Sequence, residues 1–328
     1  KTIDTAALKQ HIQLFYAQEG RFPKDLNELV KEKYIPSLPP APRRGIVKIL
    51  LDQPKLTLAD LPALPEETTG FAAIGLDLTR TVYDVLDLIK RLGGLTDEQV
   101  EQGFAQADET LGLRLREDVL LALGQKIVFF DAGSQAIPGI GAGLAIEIKD
   151  ADVMRRLSAR MAQIVQEGAG GQAQVVEEKV GDVSIFSVEL PPGLPFPIHP
   201  AWAVTDGWVA VGLNTEAVQR FVECQSGTRG RWKPDTAFAQ ARGDIPTEGN
   251  WLAWSDPRPG IETLMGMLPG LIDQINQATG VQIDAALLPA AKQVNQHLFP
   301  SHAAMIVDDR GMRWGGNSSV PMLAIGSP

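Results

Sequence analysis

The chain has 328 residues, 44% hydrophobic and 21% charged, with a formal net charge of −10 and a single cysteine. A chain of that length usually makes two domains. The acidic balance argues against nucleic acid as a partner, since phosphate binding needs clustered Lys and Arg. One cysteine excludes an intrachain disulfide, and the longest apolar run, Val119 to Leu123, is far below the ~20 residues that cross a bilayer.

At the start, Leu8, Ile12 and Phe15 recur at helical spacing and predict a helix over 2–16, with Gly20 as its stop. Asp25 followed three residues later by Glu28 reads as a capping box for a short second helix ending near Tyr34. The prolines between Pro36 and Pro42 keep the next stretch extended, and Ile46 to Leu51 fits a short strand. The order Tyr16, Gly20, Phe22-Pro23, Leu26, Leu29, Tyr34, Ile35-Pro36 and Pro39 resembles the soluble start of type II secretion pseudopilins over about the first 45 residues. The acidic calcium-binding loop of that family is not found after it. The resemblance implies an apolar membrane helix upstream of Lys1, and with it an extracytoplasmic, membrane-anchored protein. Residues 1–52 are therefore expected to form a pseudopilin-like segment.

Prolines 54, 62 and 65 and the turn-prone Thr68-Thr69-Gly70 mark 53–70 as a linker. Phe71 to Leu88 then reads as a strand, a stop at Asp77 and an amphipathic helix, and the design returns from Trp251 around Asp256. Aligning the two aspartates matches Val82 with Ile261, Val85 with Leu264, Leu86 with Met265 and Ile89 with Leu268, one apolar stripe on each helix. This predicts one strand-plus-helix unit used in equivalent places of two sheets, in halves 71–245 and 246–328.

Between the copies, helices are expected over 97–110, 117–123, 215–223 and 236–242. A further helix begins at Asp150 with Val153, Leu157, Met161 and Ile164 as its face. Strands are expected over 126–131 and 144–148, and hairpins over 175–190 and 201–211, turning at Gly181-Asp182 and Asp206-Gly207. After the second copy, 283–299 is helical in places, a hairpin closes at 303–314, and 318–328 is a tail. Hairpins joined by Asp-Gly turns favour antiparallel pairing. The expected class is α+β: tandem related halves, each an antiparallel sheet with helices on one face, preceded by the small helical pseudopilin-like segment.

Three stretches in this order, Ala122 to Phe130, Ile146 to Asp152 and Ala203 to Gly212, resemble a bacterial extracytoplasmic family known only as a domain of unknown function; the similarity spans most of 62–315. That family implies an envelope location and no particular activity.

Catalytic patterns are not found: there is no H-E-x-x-H, G-x-S-x-G, S-x-x-K or phosphate-loop G-K-[ST]. His11, His199, His297 and His302 are scattered, and zinc at His297 and His302 would need distant carboxylates. Gly139 to Gly143 precedes a strand, the reverse of a dinucleotide loop. Adjacent acids such as Glu177-Glu178 point to opposite faces of a strand, which does not make an acid–base pair. Cys224 sits beside the apolar face of its helix, as a structural thiol does. No catalytic, cofactor-binding or metal-binding residue is assigned.

Aromatic residues are the informative ones. Trp202 and Trp208 flank one hairpin, and Trp251 and Trp254 fall on opposite faces of one strand, so one of that pair faces outward unless helices cover both sides. Sheet packing accounts for them; so does a contact surface, with Phe196, Trp202, Trp208, Trp251 and Trp254 as its residues. The expected function is a non-enzymatic, membrane-anchored envelope protein that works through envelope protein partners. The alternative is a binding protein for an apolar ligand such as a lipid, and an enzyme of unrecognised type is the third reading.

Overall fold

The stretch Phe71 to Ile74 lies in the strand Gly70–Gly75, here β2, near the middle of a wide sheet. The computed structural model describes residues 5–24, 26–34, 49, 52–132, 141–169, 173–190, 198–308 and 311–319. Two compact units divide the chain, 1–48 and 49–328.

In the first unit, the helices Thr5–Glu19 and Leu26–Lys31 share a small core in which Phe15 and Leu29 are buried against Ile12, Val30 and Tyr34. Gly20 ends the first helix at φ 70°, where a Cβ would be strained. Glu28 accepts from the Lys24 N–H and pairs with Arg21 at 2.7 Å; the Arg21 hydrogen bond and that N–H hold its carboxyl down at about 2. The expected cap Asp25 lies outside the described residues, as does the strand expected at 46–51 apart from Ile49.

In the second unit the strands in chain order are β1 (Leu56–Thr57), β2, β3 (Leu123–Asp131), β4 (Ala142–Ile148), β5 (Gln174–Val180), β6 (Val183–Glu189), β7 (Ala201–Val204), β8 (Trp208–Gly212), β9 (Glu248–Gly249), β10 (Trp251–Ser255), β11 (Ser301–Asp308) and β12 (Gly311–Asn317). β1 and β9 pair with each other; the rest form one antiparallel sheet in the order β12-β11-β10-β2-β3-β4-β8-β7-β6-β5. The fold is α+β with a large antiparallel sheet. The matched strands β2 and β10 are not in two sheets, as the sequence suggested, but are neighbours, with Phe71 opposite Trp254 and Ile74 opposite Trp251. Residues on both sides of the expected boundary at 245 thus complete the same sheet.

One face of this sheet is closed. A row of mostly small residues crosses it in register: Ala304, Leu252, Ala73, Val128, Ala145, Ala210, Ala203 and Ile185. Short side chains let backbone and helices come close, and three segments do so. The helix Thr215–Ser226 brings Val218, Phe221 and Val222, the helix Thr236–Arg242 brings Phe238, and the segment expected to be a linker brings Leu56 and Leu64. Proline composition marked 53–70 as a connection, but β1 and these buried leucines make it part of the core. The carbonyl of Pro54 lies so close to Gly75 that a Cβ there would overlap it.

The opposite face is covered only in part. The helix Ala151–Gly168 packs on β7 and β5, and the helix Leu78–Arg91 rests on β3 and the short helix Leu120–Ala122. The first of these presents Val153, Met154, Ser158 and Ala162 to the sheet, while Met161, an expected face residue, is exposed. Ser158 is drawn inward because the Trp202 indole N–H donates to its Oγ at 2.9 Å. Helix 78–91 is capped by Asp77, which accepts from the Arg80 N–H, yet none of its residues is fully buried. Its counterpart is the helix Arg258–Thr279, where Asp256 accepts from the Arg258 N–H and pairs with its guanidinium. No helix among the described residues is long and apolar enough to cross a membrane.

Candidate functional site

The partly covered face carries its own register of side chains. One row runs Gly316, Ala303, Ala253, Ala72, Phe129 and Leu144; the row beside it runs Trp314, Met305, Trp251, Ile74, Ile127 and Ile146. Four small residues side by side lower the surface of the sheet. Large ones at the end of that row and along the next stand above it, and the difference in height makes a trough. Its volume is about 370 Å³, within the range of small-molecule sites.

Trp251 and Trp314 stack at 4.7 Å between centroids with 23° between planes, forming one wall. Phe129 forms another. Phe129, on the interior strand β3, is 47% exposed, an unusual value for a large apolar side chain there, and Trp314, on the edge strand β12, is 53% exposed. Polar groups occur only at one end, where Ser255, Ser301, Asn317 and Ser318 contribute to the lining; the hydroxyls of Ser301 and Ser318 are 2.9 Å apart. No Asp, Glu, Lys or Arg lines the trough. Its chemistry is that of apolar contact, since burying a charge there without a partner is strongly unfavourable.

The five aromatic candidates are not brought together. Phe196 lies outside the described residues. Trp202 is half-buried beneath helix 151–168, stacked on Phe186 at 5.6 Å. Trp208 is half-buried and packs against the main core. Trp254 is buried among Phe71, Trp232 and Phe238. As a core residue it is unable to offer a contact surface, which corrects its place among the candidates. Trp251 stands in the trough as the outward member of its pair, stacked on Trp314, while Trp254 borders it from the core.

Phe129 and Trp314 were missed. For Phe129 the signal was available: adjacent phenylalanines 129 and 130 in KIVFFD must point to opposite faces, and only one can join the main core. Trp314 has no such mark, because the small residues that form the trough beside it come from β2, β10, β11 and β12.

A larger cleft of about 530 Å³ lies between helix 151–168 and the β5–β6 hairpin. Its polar side chains are largely engaged: Arg155 pairs with Asp152 at 2.8 Å and Asp206 at 2.6 Å, and Ser184 donates to Glu177 at 2.6 Å. That is a solvated groove rather than a prepared site.

Two buried groups lie on the closed face. Cys224 donates to the Gly230 carbonyl at 3.0 Å, and burial pushes its thiol up from the usual value. That is the opposite of an activated nucleophile. His302 faces Phe238 edge-on at 5.0 Å. Burial lowers its pKa, the nearby Pro246 carbonyl opposes this and Arg242 adds to it; neither ring nitrogen reaches hydrogen-bond geometry with a described residue. The described residues hold no group of three or more His, Cys, Asp or Glu placed to share a metal ion. Comparison with known proteins found no matching family model, no matching curated protein and no matching solved structure.

Proposed function

We propose that the protein binds an apolar ligand, of the hydrocarbon-chain class, in the trough at the seam of β2 and β10. The carrying observation is an aromatic-walled depression with no Asp, Glu, Lys or Arg in its lining and with polar groups at one end only. A ligand with an apolar body and one polar end matches that distribution. The matched strand-plus-helix stretches support a finer reading, in which β2-helices-β3-β4 and β10-helices-β11-β12 are two copies of one unit. The trough then lies where the copies meet. An envelope location and membrane attachment belong to the proposal through the family resemblances; fractionation of the source cells tests them.

The ligand reading is tested by titrating a fluorescent long-chain fatty-acid analogue and following quenching of Trp251 and Trp314. Phe129→Ser should weaken binding at least about tenfold, roughly 1.4 kcal/mol, whereas Gln163→Ala in the polar cleft should leave it unchanged. Equal affinity in both variants would remove the trough from consideration.

A second reading keeps the expected protein partner. Helix 258–279 is apolar on two sides. Ile261, Met265, Leu268 and Ile272 are half-buried or buried, while Leu264, Met267, Leu271 and Ile275 are exposed. An exposed stripe of that spacing suits a partner helix. Association lost on Leu271→Asp, with no analogue bound by the unaltered chain, would favour this reading.

A further inference from the structure

The large sheet has two edges, β5 and β12, and they differ. β5 carries Glu177, Glu178 and Lys179, all exposed. Charged side chains on an edge strand guard it against pairing with another chain. β12 carries Met312, Trp314, Gly315 and Gly316, and its one charged residue, Arg313, is already paired with Asp308 at 2.6 Å. Met312 and Trp314 are exposed.

The register tells which main-chain groups this edge offers. The Asp256 N–H donates to the Thr69 carbonyl and the Gly75 N–H to the Asn250 carbonyl, so even-numbered residues of β10 face β2 and odd-numbered ones face β11. Trp251 and Ala253 thus bond Met305 and Ala303, which leaves Ala304 and Ile306 to bond Gly315 and Arg313 on the other side. Met312, Trp314 and Gly316 therefore turn their N–H and C=O groups outward. Among the described residues, none bonds them there.

We propose that β12 pairs antiparallel with β12 of a second copy, about a two-fold axis at Trp314. This register joins the strand over its whole length. It sets Met312 opposite Gly316 and Arg313 opposite Gly315, so each of these long side chains meets a glycine. The two copies of Trp314 face each other at the centre, an aromatic cross-strand contact. No like charges come opposite one another. The same operation on β5 sets Glu177 opposite its own copy, which is destabilising. A two-fold contact also closes on itself, so association ends at the dimer. On the open face, Met312 of the second copy arrives beside Gly316, at the end of the row of small residues beside the trough, and so contributes to its wall. That consequence rests on the ligand reading; the pairing does not.

Sedimentation equilibrium of the full chain tests it and should show a reversible monomer–dimer equilibrium. Met312→Pro removes an outward N–H and leaves the bonds to β11 in place; it should raise the dissociation constant at least about tenfold. A side chain at Gly315 enters open space. Gly315→Glu sets a carboxylate opposite Arg313 of the second copy and should tighten the dimer, whereas Gly315→Arg should weaken it. These opposite signs support the register and decide the matter even if Met312→Pro does not fold. A monomer at every concentration, species that keep growing beyond the dimer, or the same response to both Gly315 variants overturns the proposal. If the fatty-acid analogue does not bind, the ligand reading falls and sedimentation alone decides the pairing.

Discussion

The two faces of the large sheet are built from the same strands and have different fates. On one face Ala73, Val128, Ala145 and Leu252 are all but inaccessible, closed over by the strap 53–69 and the helices at 215 and 236. On the other, the residues one step along each strand, among them Ala72, Phe129, Leu144 and Ala253, are as apolar but less completely covered. A sheet face of this composition normally acquires a cover, since uncovered apolar area is unfavourable and prone to association. The difference is what the proposed ligand reading draws on, since it leaves the second face open to an occupant. A permanent cover would have erased the trough.

The comparison breaks first at its strongest point. Phe221 is fully buried and stacks on Phe130 at 5.3 Å. Phe221→Ala should destabilise the second unit by about 3–5 kcal/mol, measured by denaturant unfolding. A loss below about 1 kcal/mol would mean that the closed face is not the core.

Val128 provides the next test, at 1% exposure. Val128→Thr keeps the shape and inserts a hydroxyl that a closed face leaves without a partner, and should cost about 1–3 kcal/mol. The same denaturation measurement reads it.

His302 tests the closed face through pH. Its pKa is lowered from the ordinary 6.5 by burial, so the unfolded chain takes up the proton first as pH falls. Stability therefore declines from about pH 6.5 downward, by at most about 1.4 kcal/mol per pH unit, and this contribution is flat above that range. His302→Phe should remove this part of the slope. The readout is the difference in slope between the two proteins from pH 7.5 to 5, so a shift in overall stability does not confuse it. Identical slopes would show that the imidazole is not held neutral by its surroundings.

Much of this fold was legible. The strands from Phe71 and Leu144 and the two hairpins were readable from the letters, and Asp77, Asp150 and Asn214 each cap a helix by accepting from its first turn. What periodicity reports is which residues share a face; it does not report which face is covered. Trp251 and Trp254 could be placed on opposite sides from the letters, but only the arrival of Trp232 and Phe238 decides that Trp254 is the buried one. The strap at 53–69 was misread because proline composition speaks of local backbone, while the burial of Leu56 and Leu64 is a long-range outcome. Helix 151–168 was placed correctly but rotated, since large apolar residues predicted its face and Trp202 instead selects the small Ser158. The trough was invisible for a related reason: alanine and glycine carry little periodic signal, and four of them become a depression only when β2, β10, β11 and β12 are set side by side.

The smallest expected effect sharpens the comparison most. Val211 lies on the open face, between Trp202 and Leu144 in the register, and is 39% exposed. Val211→Thr makes the same chemical change as Val128→Thr, in the same sheet and with the same loss of a methyl group. Here water can reach the introduced hydroxyl, so no donor is stranded and the stability change should stay within about 0.5 kcal/mol. Because the change is isosteric, differences in cavity volume and strand propensity largely cancel between the two variants. What remains is the cover. A Val211 variant as costly as the Val128 variant would mean that something in solution, such as a second copy, closes the open face. Repeating the measurement across protein concentrations identifies it: a cost that varies with concentration belongs to another copy.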